Sequence, residues 1–417
     1  MHLTMLADYM NFKKNRIWLF RLRSDDPACL LLCYTDGPNQ LLSFLWSPLT
    51  MQVLIGMPDK DSVGGPIYCE PPFVDALRIA GVDVDEEVYV YGDGGTPIGT
   101  LERVTRMIKA ARRMRERVRK TNYDLIHLNT SFDQRCLLRD IITLWLIRKS
   151  EIPVFLKMHG SIARFLATSN PVWRAFQRRL FSRVAAIGVL SSEERANFVR
   201  AGCPPEKLFE IKNAFEPVGF ERDPEFRMRQ DVGSDIPIIL FSSRFIPAKG
   251  LFDVIAACDI LKNAGREFRL ICLGDGPQRS EAERLAASLD LSTHISFTGY
   301  ISEKDASSFH ANSDIFALPT YHDEGFPVVI LKSLVCGLPI ITTRIRAAAD
   351  YLAEPANCLW CVPHDPRDLA VKIMRLLDDA PLRTSMVENN RQLAQRFAAN
   401  RVAVEYLEMY ESLFKCR

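Results

Sequence analysis

The chain lacks any uninterrupted apolar run of about eighteen residues, the length that a helix needs to cross a bilayer, so no transmembrane helix is expected. It has little charge of one sign, 53 basic against 51 acidic side chains, so no global field recruits nucleic acid. There is no repeat of solenoid period and no low-complexity tract. The full glycine spacing of a dinucleotide fingerprint is missing, and "LGDGP" at 273–277 is a bare glycine turn. Cysteine is plentiful at eleven, but most sit singly in apolar runs, as Cys258, Cys272 and Cys336 do. A thiol there acts as a small hydrophobe, which suggests a reducing compartment. Cys358 and Cys361 have the spacing of half a zinc site, but no second pair accompanies them, and no metal is expected.

With 47% hydrophobic and 25% charged residues over 417 positions, the composition is that of a globular enzyme of two domains. Residues 1–50 fit neither a signal peptide nor the scheme that follows, because Asp36-Gly37-Pro38-Asn39 interrupts "ACLLLCY" and "LLSFLWSPL". They are expected to be a poorly packed extension, or sequence upstream of the true start. From Met51 the pattern alternates. "MQVLIGMPD", "VDVDEEVYVY", "YDLIHLN" and "PVFLKMHG" are short apolar runs ending at turn chemistry, with helical spacing between them. A second series runs from Pro237 through "IPIILFSSRF", "FRLICLGDGP", "HISFTGY", "DIFALPT" and "LPIITT". Strands alternating with helices predict doubly wound parallel sheets. The stretch 211–237, rich in Pro and Asp and without a clear period, reads as a linker. The division expected is 1–50 extension, 51–215 first domain, 216–395 second domain, and 396–417 a terminal helix returning toward the first domain.

Ligands in open α/β sheets bind beyond the carboxyl ends of the strands, so residues just after strands are the candidates. After the first strand, Gly64 and Gly65 let backbone amides approach a phosphate or sugar. His159 and Gly160 follow "PVFLKM", before a helix expected from Ser161, and His159 could donate to a sugar hydroxyl; His127 is expected to be packed. Arg244 and Lys249, between a strand and a helix start, form an anion site. Glu324, Gly325, Phe326 and Pro327 precede another helix, closed by Gly337 and Pro339, so that Glu324 can accept from hydroxyls.

In order, the glycine pair, "KMHG", "SSEERANFV", "IKNAF", "SRFIPAKGL", "GDGP", "FTGYIS" and "EGFPVVILKSLVCGLPIITT" resemble segments of the retaining nucleotide-sugar glycosyltransferases called family 4. The resemblance covers Met51 to the C-terminus. It implies the GT-B architecture, two Rossmann-like domains facing across a cleft, with an acceptor domain first and a nucleotide-sugar donor domain second, and no required metal or cofactor. It also implies that Arg244 and Lys249 neutralise the leaving diphosphate and that Glu324 binds the donor sugar, with backbone from Gly325 and Phe326. His159 and Gly65 would reach the donor from the opposite domain, and Gly299, Tyr300 and Ile301 would meet the base. The acceptor implied is a glycan or lipid-linked glycan of a surface polysaccharide, at a cytoplasmic location or the inner membrane face.

One position departs. Where the family carries a second glutamate, eight after the first, this chain has Lys332. Eight residues are about two helical turns, so Lys332 is expected to face the donor site, as a donor where glutamate would accept. A non-catalytic binding or scaffold protein and a nucleotide-sugar epimerase stay open as alternatives. The helix at 103–120 adds an apolar stripe of Val104, Met107, Ile108, Ala111, Met114 and Val118 beneath nine cations, opposed within that stretch by Glu116 alone. That face suits an anionic membrane.

Overall fold

The computed structural model describes residues 5–12, 15–22, 31–35, 44–45, 51–59, 64–89, 99–217, 220–323 and 325–415. Four short strands, β1 (Met5–Phe12), β2 (Asn15–Leu22), β3 (Leu31–Thr35) and β4 (Phe44–Leu45), form an antiparallel sheet in that order. Two parallel six-stranded sheets follow, flanked by helices.

The first contains β5 (Gln52–Met57), β6 (Asp83–Val88), β7 (Leu125–Phe132), β8 (Val154–Ser161), β9 (Ala186–Val189) and β10 (Leu208–Glu210), in spatial order β10-β9-β8-β7-β5-β6. The second contains β11 (Ile238–Ser242), β12 (Arg269–Leu273), β13 (Ile295–Gly299), β14 (Ile315–Leu318), β15 (Ile340–Thr342) and β16 (Cys358–Trp360), in order β13-β12-β11-β14-β15-β16. The central strands are buried along their length: every residue of β11 and β14 lies in the core, as do five of six in β5. Burial on both faces is why they read as continuous apolar runs. Strand order reverses between β5 and β7 in the first sheet and between β11 and β14 in the second, and such switch points open a crevice.

Several local expectations are corrected. No helix starts at Ser161: β8 carries on through His159 and Gly160 to Ser161, and the next helix, Ala163–Leu166, is a single turn. The 211–237 stretch is anchored, because Phe226 opens a helical turn, sits in the second core, and meets the Phe309 ring edge-on at 5.0 Å. Its Arg227 pairs with Asp314 at 2.6 Å. In the helix Thr100–Lys120, Val104 is 44% exposed, and Ala110 joins Ala111 and Met114 in the buried stripe. Its cations also have more partners than Glu116. Arg113 and Arg117 share Glu87, and Arg106 pairs with Glu102. Lys109, Arg112, Arg115 and Arg119 make no ion pair among the described residues.

The terminal helix, Ala399–Lys415, lies on the first sheet's side, against the helix Pro66–Ile79. Tyr406 and Tyr410 pack with Phe73, Phe155 and the buried His127, whose Nδ1 is 2.6 Å from the Tyr410 hydroxyl.

Candidate active site

The ends of β11, β12, β13 and β14 build one cradle. The loop after β11 carries Arg244, exposed, and Lys249, only 5% exposed, in a turn that Gly250 (φ +77°) hands to the helix Leu251–Asn263. Its neighbours must be glycine. A Cβ on Gly274 would fall 1.9 Å from the Ser243 carbonyl, and one on Gly276 2.5 Å from that of Phe245. The turn after β12 therefore lies flat against the Arg244 loop. Gly274 donates to the Gly299 carbonyl at 3.1 Å, which draws in the end of β13, where Gly299 has φ +74°, Tyr300 is 65% exposed and Ile301 packs on the core. From β14, the Tyr321 amide and the Thr320 hydroxyl both donate to the Ala248 carbonyl, at 2.9 and 3.1 Å. The loop of Arg244 and Lys249 thus lies at the β11–β14 switch point, and Gly299–Ile301 lie at the end of edge strand β13, joined to it through the Gly274 turn. Glu324 lies outside the described residues.

The opposite sheet closes on this cradle. Gly325 stands so near the first domain that a Cβ would lie 2.3 Å from Leu190 and 3.1 Å from the His159 carbonyl. A Cβ on Gly65 would lie 2.8 Å from Val328. Gly64 has φ +141°, favourable to glycine, and Gly65 caps the helix Pro66–Ile79. Phe326 is buried against the Tyr351 and Phe397 rings.

His159 is held from below. Asn129 on β7 donates to the Gly56 carbonyl at 3.0 Å, which turns its Oδ1 toward His159 Nε2 at 2.9 Å. An amide oxygen only accepts, so Nε2 carries the proton and Nδ1 is an acceptor. Burial, then the neighbouring Lys157 and His127, hold this imidazole well below its ordinary range and hence neutral. Beneath it Lys157 and Glu70 form an ion pair of 2.6 Å with both side chains fully buried.

Lys332 is 3% exposed, and its ammonium stands over the Tyr68 ring of the first domain at 5.2 Å. The helix starts at Val328, so position 324 precedes it and the two-turn argument that placed both residues on one helix face does not apply. The Lys332 ammonium is turned to the first domain, against the helix that follows Gly64 and Gly65.

Sequence reasoning missed Asn129, Glu70, Lys157 and Arg346. The signal available was a single charge inside an apolar run, Lys157 in "VFLKM" and Glu70 in "YCEPPF", and two such charges of opposite sign invite pairing.

Two family models match the chain along these two halves. Residues 67–214 match the glycosyl transferase 4-like domain, and residues 223–393 match glycosyl transferases group 1. The chain belongs to the group 1 glycosyltransferases. This glycosyltransferase is 26% identical over 290 residues to an uncharacterized glycosyltransferase of Methanocaldococcus jannaschii, covering 70% of the chain and 76% of that relative. It is 26% identical over 235 residues to the N,N'-diacetylbacillosaminyl-diphospho-undecaprenol alpha-1,3-N-acetylgalactosaminyltransferase of Campylobacter jejuni. That match spans 54% of the chain and 60% of the relative. Among solved structures, Anabaena HepE in complex with UDP and glucose superposes with a TM-score of 0.67 at 20% identity, covering 87% of this chain and all of that one. The fold of this glycosyltransferase is accordingly GT-B, and its cradle falls in the half matched by the group 1 model.

Proposed function

We propose that this glycosyltransferase moves a sugar from a nucleotide-diphosphate sugar to a hydroxyl of a glycan or lipid-linked acceptor, with retention and without a metal or other cofactor. The observation that carries the reading is that one loop at the β11–β14 switch point carries Arg244 and the buried Lys249, while Gly325, after β14, abuts the His159 carbonyl of the opposite domain. Cations fixed there act where charge develops on the leaving diphosphate. The sugar C1–O bond to phosphate breaks, the acceptor oxygen bonds C1 on the same face, and the acceptor proton passes to the departing phosphate. His159 hydrogen-bonds a hydroxyl of the donor sugar. Glu324 does the same from the other domain, while Gly64, Gly65, Gly325 and Phe326 offer backbone. Gly299, Tyr300 and Ile301 meet the base, and Lys332 supplies a further cation toward the nucleotide.

The acceptor class is supported by the Campylobacter relative, which by its name acts on a diphospho-undecaprenol-linked sugar. A membrane surface fits the same domain. Beside the unpaired Lys109, Arg112, Arg115 and Arg119, the helix Pro171–Arg183 exposes Arg174, Arg178, Arg179 and Arg183, none in an ion pair among the described residues. Between them Trp145 is 55% exposed under the Arg148 guanidinium. Aromatic rings and cations together suit the headgroup layer of an anionic bilayer. On this reading the protein works in surface polysaccharide synthesis, in the cytoplasm or at the inner face of the membrane.

Binding of a panel of UDP-, GDP- and ADP-sugars, followed by NMR of the product formed on glycan and lipid-linked acceptors, tests the proposal. Retained anomeric configuration in a new glycosidic bond is expected, and is expected to survive chelation. Failure to bind any nucleotide sugar favours a scaffold, and a product without a new glycosidic bond favours an epimerase.

A further inference from the structure

Arg346 is buried, 3% exposed, and its backbone has φ +49°, a conformation that side chains other than glycine rarely hold. It follows β15, in the second domain, yet most of its partners belong to the first. Nη2 donates to the Ser161 carbonyl at 3.0 Å and Nη1 to the Ser161 hydroxyl at 3.3 Å. Nε is 3.3 Å from Glu193 Oε1, Nη1 is 3.6 Å from Glu194 Oε1, and the backbone amide donates to Glu193 Oε2 at 3.1 Å. On its own side Nη2 is 3.3 Å from Asp323 Oδ1. Asp323 in turn accepts from the Ala163 amide at 3.3 Å, and Asp350, four residues after Arg346, accepts from the Ser192 amide and hydroxyl.

Ser161 is two residues beyond His159, and Asp323 is two before Gly325. One planar guanidinium thus binds the segment that carries His159 and the segment that carries Gly325, from opposite sheets. A strained backbone persists only where surrounding contacts over-determine it, and here those contacts all serve the junction. We propose that Arg346 is a positioning residue: it straps the two domains at the reacting end of the cleft and sets the register of His159 against the Asp323–Gly325 segment. This rests on the reading of the cleft as the transfer site. Because the guanidinium fork makes several hydrogen bonds in fixed geometry, lysine replaces it only in part.

Arg346→Gly removes the fork and suits the φ of +49°. The test compares parent, Arg346→Gly, Arg346→Lys and Glu193→Gln as full chains, by fluorescence energy transfer between labels on the two domains and by transfer kinetics. Expected are a wider interdomain distance distribution for Arg346→Gly, a kcat/KM loss of roughly tenfold or more carried mainly by kcat, and partial recovery in Arg346→Lys. Glu193→Gln, which reads the same contact from the first domain on a half-exposed side chain, should widen the distribution in the same direction. It also keeps the test open if Arg346→Gly fails to fold. Unchanged distances in folded Arg346→Gly, or in Glu193→Gln if that variant alone folds, overturn the strap. Widened distances with unchanged kcat/KM overturn the positioning role. Absence of transfer in the parent refutes the functional reading and leaves the distance result to judge the strap.

Discussion

Replacing Lys157 with methionine should be among the most damaging single changes in the first domain. The ammonium lies 2.6 Å from Glu70 Oε1 with both side chains fully buried, and it stands 5.0 and 5.3 Å from the Phe73 and Tyr406 rings. Methionine keeps the stem and its packing but leaves Glu70 as a buried carboxylate, whose Oε2 already has no hydrogen-bond partner among the described residues. Removing one partner of such a pair costs about 3–5 kcal/mol, whereas replacing both by apolar groups of similar size is often neutral. Lys157→Met is therefore expected to lose about 3–5 kcal/mol, and Lys157→Met with Glu70→Leu to recover most of it. Because a two-domain chain does not unfold in one step, the measurement is amide exchange of the peptide 154–161, which reads the opening free energy of β8 itself. Protection in Lys157→Met within about 0.5 kcal/mol of the parent would refute the argument, since an uncompensated buried charge cannot cost so little. The same variant removes a positive neighbour of His159, so its imidazole should titrate higher than in the parent by NMR.

Arg244→Ala and Lys249→Ala should each lower turnover more than tenfold, about 1.4 kcal/mol on the barrier, and near-normal rates in both would defeat their assignment to the leaving group. His127, His159 and His310 are all buried, which is the first cause holding each well below its ordinary range. The unfolded chain then binds more protons, so stability is full above the unfolded histidine pKa near 6.5 and falls as pH drops below it, by up to about 1.4 kcal/mol per pH unit for each ring. Amide exchange of the peptides that hold these rings, corrected for the intrinsic rate at pH 7.5 and 5.5, reads this, and equal opening free energies at both would contradict it. Lys332→Met keeps the stem and removes the charge, and weaker nucleotide binding by calorimetry in a protein of unchanged melting temperature is expected. Equal affinity places Lys332 outside the site. Sedimentation should show binding to anionic vesicles that is reversed by salt, since the attraction is screened beyond about 8 Å at physiological ionic strength. Partitioning indifferent to lipid charge would remove the membrane surface from the account.

The two sheets were legible because parallel strands buried on both faces leave continuous apolar runs, as "IPIILFSS" and "DIFALP" do. The cradle was legible for a related reason. Glycines at 274, 276 and 299 mark places where backbone meets backbone, and turn chemistry announces them. What sequence reasoning could not reach were side chains whose partners are distant. Asn129 and Glu70, 30 and 89 positions before His159, decide its tautomer and shield it. Glu87 neutralises two arginines of a helix that carries no sign of it. Arg346, in the polar stretch "TTRIRAAAD", looks like an ordinary surface cation until the other domain is laid against it.

The terminal helix has a consequence for the order in which the protein is made. His127 meets Tyr410 across 283 positions, and Phe73 and Phe155 share the same cluster with Tyr406. At a synthesis rate of about 5–20 residues per second, His127 waits roughly 15–60 s for the hydroxyl that meets it. During that interval an aromatic face and a histidine without its hydroxyl partner stay open to water. The interior of the first domain is therefore completed only after the helix Ala399–Lys415 has been made.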